Sequence, residues 1–177
     1  MPEQITKIKK KQWYPIIAPE FGNVVLGESP VYEPQQLLGK TLRCSLMNLI
    51  NDVKRQNINI YFKVVEVENN TGKASIIGYE IVPSSVKRLV RRNSEKMDTS
   101  FICETADNLS LRVKPLLITK ADVKGSIAAK LRNNAEAYLI KTIKKIKYEE
   151  VLGDIISHKL QSVMKETLNK TYPLRIC

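Results

Sequence analysis

Two periodicities divide this chain. Up to about residue 118 apolar positions mostly alternate with polar ones; beyond residue 121 they recur at steps of three and four. Leu42, Cys44 and Leu46 alternate with Thr41, Arg43 and Ser45, which predicts a strand from Lys40, and Leu46 to Ile50 then fits one helical turn or a bend. The clearest local structure is a hairpin. Ile58, Ile60, Phe62 and Val64 share one face of a strand that continues through Val67, and Ala74 to Val82 returns as its partner. Asn69 to Lys73 forms the turn, with Gly72 available for a positive φ. Earlier, Trp13 to Pro19 carries two prolines that exclude a helix and predict an extended segment laid over the domain surface. Val24 to Leu26 reads as a short strand, followed by a loop marked by Pro30 and Pro34.

Pro83-Ser84-Ser85 suits the first turn of a helix whose face carries Val86, Leu89 and Val90. Two further strands are expected, Thr99 to Thr105 and Leu109 to Ile118, joined at Ala106-Asp107-Asn108. A long helix then carries Ile127, Leu131, Ala135, Tyr138, Leu139, Thr142, Ile143 and Ile146 on one side. A second helical stretch bears Val151, Leu152, Ile155 and Ile156, and Ser157 is placed to cap a last helix. The class is α+β: an antiparallel, barrel-like β core, a basic helix after the central hairpin and a helical C-terminal third. Residues 1–12 read as a flexible basic arm that orders only on its ligand, because it lacks apolar anchors. Residues 13–177 read as one globular domain, mainly β over 13–118 and helical over 121–172.

Charge narrows the function more than the fold does. The chain carries 29 Lys and Arg against 18 Asp and Glu, a net charge of +11. Residues 87–147 hold fifteen basic and six acidic residues, whereas 21–86 and 148–177 are each balanced. An excess concentrated in one third of a chain is the footprint of a polyanion site. An anionic membrane would want an amphipathic helix with a large apolar face beside the lysines, and no segment offers one. Lys87, Arg88, Arg91 and Arg92 follow the hairpin at three- and four-residue steps suited to a row of phosphates. Lys124, Lys130, Arg132, Lys141, Lys144 and Lys145 form a second row on the long helix, whose alternative is a solvated outer face. Lys7, Lys9, Lys10 and Lys11 precede Trp13 and Tyr14, where a ring either stacks on an unpaired base or packs the arm onto the core.

Catalysis has little to work with. His158 is the only histidine, without motif context, so neither a triad nor a histidine metal site assembles around it. Cys44, Cys103 and Cys177 are odd in number and far apart, which reads as small buried residues, with Cys177 an exposed end, in a reducing compartment. Thr71-Gly72-Lys73 resembles the end of a phosphate loop but lacks the upstream glycine. No cofactor and no metal is implied. The lysine-rich start has no apolar core behind it, so the expected location is the cytoplasm.

A series of short motifs adds to this. Lys10-Lys11-Gln12-Trp13-Tyr14, Ala18-Pro19-Glu20-Phe21, Gly39-Lys40, Ser45-Leu46-Met47-Asn48-Leu49, Asn51-Asp52, Gly78 and Tyr172-Pro173-Leu174 occur in the order and spacing of a known family. The chain resembles the archaeal and eukaryotic small-subunit ribosomal protein family S-three-A-e, also called e-S-one, in its compact archaeal form. Lys40 stands where that family often has Arg, keeping the charge for RNA contact, and Asn48 stands where Asp is usual. The resemblance implies a non-catalytic constituent of the small-subunit platform near the messenger RNA exit. Its implied partners are ribosomal RNA, neighbouring ribosomal proteins and messenger RNA, with no membrane and no homo-oligomer. The rival from residue chemistry is a free-standing binder of single-stranded RNA; it wants exposed aromatics on adjacent strands, and Tyr61 and Tyr79, on the two arms of one hairpin, are either that platform or buried.

Overall fold

The computed structural model describes residues 10–177, so Lys7, Lys9 and most of the predicted arm lie outside the described residues. The chain divides into two compact units, one ending at Val86 and the other spanning Lys87–Cys177.

The first unit is built on strands β1 (Gln12–Ala18), β2 (Val24–Val31), β3 (Thr41–Ser45), β4 (Ile58–Glu68) and β5 (Thr71–Ile81), with helix α1 (Leu46–Ile50) after β3. They form one sheet in the order β2-β1-β5-β4-β3. Alternation chooses its inner face. Ile60, Phe62 and Val64 of β4 lie with Ala74 and Ile76 of β5 and Tyr14, Ile16 and Ala18 of β1, all buried. The expected surface segment at Trp13–Pro19 is therefore an interior strand. Its prolines allow this because β1 meets β5 only at Ile16 and Ile17, beyond Pro15, and in parallel sense. The remaining pairings are antiparallel. Strands β2 and β3 are the two sheet edges, so the barrel-like expectation gives way to an open sheet.

The β4–β5 turn is tighter than expected. Glu68 pairs with Thr71, leaving Asn69 (φ 46°) and Asn70 (φ 63°) as a two-residue loop with both residues left-handed. Gly72 is not the turn residue. It is buried in β5 opposite Ile16, where a Cβ would meet Val64 at 3.2 Å and Ile16 and Leu37 at 3.5 Å. Phe21, held over the sheet by a 3₁₀ turn at Pro19–Phe21, packs edge-on against Phe62 with centroids 6.2 Å apart.

Helix α2 (Pro83–Leu89) leads into the second unit, which contains β6 (Lys96–Asp98), β7 (Phe101–Glu104), β8 (Ser110–Val113), β9 (Leu116–Thr119), α3 (Gly125–Ile143), α4 (Tyr148–Ile156), α5 (Lys159–Asn169) and β10 (Leu174–Ile176). The expected strand from Leu109 to Ile118 is broken before Pro115, which has no N–H for the ladder. Its halves join different sheets, β7-β8 and β10-β9-β6. Ala128, Leu131, Ala135, Leu139 and Ile143 of α3 enter a core with Met97, Leu117, Val151, Leu160, Met164, Leu168 and Leu174. Buried Thr119 donates to the Ala121 carbonyl at 2.7 Å and accepts from the Glu95 N–H at 2.9 Å, fixing the chain just before β6. His158, not Ser157, is the N-cap residue of α5, left-handed at φ 60° with no side-chain capping bond.

Candidate nucleic-acid interface

The cations after the hairpin are not arranged as helical periodicity predicts. Helix α2 stops at Leu89, and Asn93 turns the chain at φ 60°. Ser94 Oγ donates to the Arg91 carbonyl at 2.6 Å and accepts from the Arg91 N–H at 3.1 Å. Serine thus captures backbone groups that a continuing helix would need. Lys87 and Arg88 stand on the last turn of α2, while Arg91 and Arg92 project from a pinned turn, and all four side chains are exposed. A pinned backbone leaves only side-chain freedom to be lost when these cations meet a ligand.

Helix α3 sorts its cations. Its core-facing stripe fixes the rotation, and Lys130, Asn134, Ala137, Lys141 and Lys144 then follow one another at steps of four, three, four and three. Every residue of that row is exposed. Lys145 lies beside its end and Lys124 sits at the N-cap position, both exposed. Arg132 is on the opposite flank, half-buried near Glu136, with its Nε enclosed and without a partner. Periodicity drawn through Lys130 could have found Asn133 and Asn134, but attention to charge alone passes over them.

Of the aromatic candidates, Trp13 is 65% exposed, leaving its ring open to a base, whereas Tyr14 is buried at 7% and cannot stack on one. Lys11 lies 5.4 Å from the Tyr32 ring centroid, and Lys10 is exposed. Lys40 is half-buried and donates to Ser29 Oγ at 2.7 Å, which ties it to β2. Tyr61 and Tyr79 do not make a platform. Tyr79 pairs with buried Ile60 on the inner face, and Tyr61 lies outward over Gly78, so the rings are on opposite sides. The Tyr61 hydroxyl donates to Glu80 at 2.7 Å, a bond that, with burial, raises its pKa against the opposing pull of Arg43.

The contrast between segments lies in their partners. In the balanced segments Arg55 pairs with Asp52, Lys73 with Glu68 at 2.7 Å and Lys159 with Asp154, while Lys165 donates to the Arg175 carbonyl. Of the fifteen cations in 87–147, Lys96, on Asp98 at 2.6 Å, is the only one with an ion pair among the described residues. Exposed cations without counter-charges project a field that phosphates can fill.

No reactive constellation accompanies this surface. Among the described residues no group of three or more His, Cys, Asp and Glu could hold a metal. No helix of the described residues is long and apolar enough to cross a membrane. Cys103 is buried, and Cys177, expected at an exposed end, is half-buried. Burial raises all three thiols, with Cys177 reaching about 12. The thiolate is the nucleophile, so at pH 8 only on the order of one Cys177 in ten thousand is reactive. A chromogenic disulfide reagent is therefore expected to label Cys177 at least about a hundredfold more slowly in the folded than in the urea-unfolded chain. Equal rates would contradict this burial.

Comparison with known proteins gives one answer. Residues 3–177 match the model of the Ribosomal S3Ae family. The small ribosomal subunit protein eS1 of Nanoarchaeum equitans is 31% identical over 166 residues, covering 93% of this chain and 84% of that protein. That of Saccharolobus islandicus is 30% identical over 170 residues, 96% of this chain and 82% of its own. That of Staphylothermus marinus is 29% identical over 170 residues, 96% and 80%.

Proposed function

The chain belongs to the Ribosomal S3Ae family, and from that membership we propose that it is a structural constituent of the small ribosomal subunit that binds ribosomal RNA and supports translation in the cytoplasm. The observation that carries the RNA-binding part is the unpaired state of the cations in 87–147. Fourteen of those fifteen make no ion pair among the described residues, whereas three of the ten cations in the two balanced segments do. Lys87, Arg88, Arg91 and Arg92 are the phosphate-contacting cluster, with the α3 row as a second one. Phosphate contacts of this kind set register and affinity, and arginine forks onto phosphate oxygens where lysine acts as a point charge. Trp13 and the lysines before it serve an unpaired base. The resemblance supports a place on the platform near the messenger RNA exit, beside other ribosomal proteins, as a single copy without catalytic chemistry.

Binding of the free protein to small-subunit RNA is expected to weaken steeply with salt. Each neutralised phosphate adds roughly 0.7 to 0.9 to the log–log slope, so four to six contacts give a slope of about 3 to 5. A flat response would sink the reading. A free-standing single-strand binder has one observation in its favour, the exposed Trp13, and one against it, the opposed rings of Tyr61 and Tyr79. Sucrose-gradient fractionation separates the two. A subunit constituent co-sediments with small subunits, and a free-standing binder stays near the top.

A further inference from the structure

The exposed row of α3 is charged only at its ends. Lys130 stands at one end and Lys141 and Lys144 at the other, the first two being eleven positions, about 16 Å, apart along the axis. Between them Asn133, Asn134 and Ala137 face solvent. Neither asparagine has a hydrogen-bond partner among the described residues. Asparagine is a poor helix former beside alanine, because its amide competes with the backbone. Two in succession on the exposed middle of a helix therefore return nothing to this chain's own fold. The one acidic residue of α3, Glu136, is half-buried and borders the row one turn past Asn133.

We propose that this row lies across the minor groove of an A-form RNA duplex, with Lys130 at the phosphates of one strand, Lys141 and Lys144 at those of the other, and Asn133 and Asn134 at the ribose 2′-hydroxyls between them. The inference rests on the RNA-binding reading above and deepens it by naming the kind of RNA. A 2′-hydroxyl both donates and accepts, and so does an asparagine amide. Ala137 adds no bulk where the helix must approach closely. The A-form major groove is too deep and narrow for side chains to read, whereas its minor groove is wide and shallow. The B-form minor groove, about 6 Å wide, does not admit a helix about 10 Å across. A single strand would call for aromatic rings along the row. The row has none, and Tyr138 is half-buried with the α3 core stripe.

The test measures fluorescence anisotropy of the whole chain with a blunt RNA duplex of about 18 base pairs, the DNA duplex of the same sequence, and the single RNA strand. The expected result is a preference of about tenfold for the RNA duplex over either competitor. The double variant Asn133→Ala, Asn134→Ala is expected to lose that preference while keeping its affinity for DNA. Its fold is not at risk, since alanine is the better helix former, and circular dichroism checks it. Lys130→Ala with Lys141→Ala is expected to weaken binding to both duplexes and to lower the salt slope by about 1.8. Equal binding to the two duplexes, tighter binding to the single strand, or a preference that survives in the asparagine variant overturns the minor-groove seat while RNA binding stands. Absence of any salt-sensitive binding in the parent chain overturns both.

Discussion

A chain carrying Arg91→Glu and Arg92→Glu is expected to lose about a hundredfold in affinity for small-subunit RNA near physiological salt. It is also expected to be largely excluded from assembled subunits. Each reversal removes a phosphate partner and adds a like charge, and at that salt each contact contributes a factor of several. Folding should change by about 0.5 kcal/mol or less, since both side chains are exposed and the turn is held by backbone and Ser94 bonds that do not involve them. The control must be chosen with the structure in hand. Lys159 and Lys165 come from a balanced segment, but one pairs with Asp154 and the other holds the Arg175 carbonyl. Lys54 and Lys170 are exposed, lie in balanced segments and have no side-chain partner among the described residues. Reversing that pair should leave incorporation within a few-fold of the parent. Gradient profiles beside thermal melts read both quantities, and equal incorporation of the two variants would move the RNA surface elsewhere.

Replacing Phe62 by alanine is expected to destabilise the first unit by about 3 to 5 kcal/mol, read as a shift in the urea midpoint. Phe62 is fully buried at the middle of β4, paired with Leu42 on one side and Ile76 on the other. Truncation removes the ring and the edge-on partner of Phe21. Phe21 cannot readily follow into the gap. Its 3₁₀ turn is closed by the bond from the Gly22 N–H to the Pro19 carbonyl, and neighbouring Glu20 accepts from the Ile76 N–H at 3.3 Å. The cavity therefore persists, which places the cost high in the range for such substitutions. Ile77→Ala, at a residue 52% exposed in the adjacent strand, should cost far less. Comparable losses from the two would mean that Phe62 does not anchor this core.

What could be read from the chain alone follows the range over which each signal acts. Alternation through Ile58, Ile60, Phe62 and Val64 marks β4, and three-to-four spacing from Ile127 to Ile143 marks α3, because both patterns are internal to one element. Strand β1 is hidden by Pro15 within it and Pro19 just past its end, which argue locally against a sheet. Its place comes from pairing with β5 more than fifty residues away. The three-residue strands β6 and β10 are ordered by β9 and have no period of their own. The end of α2 is set by a single hydroxyl at Ser94, which no hydrophobic pattern records. For the candidate site, charge density along the chain nominates the segment. Which cations are committed to partners, as Lys40 is to Ser29, is decided in three dimensions.

An open sheet carries a liability that a closed one lacks: its border strands can recruit further chains. Here both borders are poor templates. Strand β2 is interrupted by the extra residue Leu26, which breaks the register between Ile16 and Ile17, and near its end by Pro30, which offers no N–H. Strand β3 is only five residues long, carries exposed Arg43 and follows Lys40 directly. Short, charged or kinked borders resist polymerisation into stacked sheets. On the proposed RNA-binding reading the chain spends time as an uncomplexed pool, and borders of this kind disfavour its self-association through the sheet.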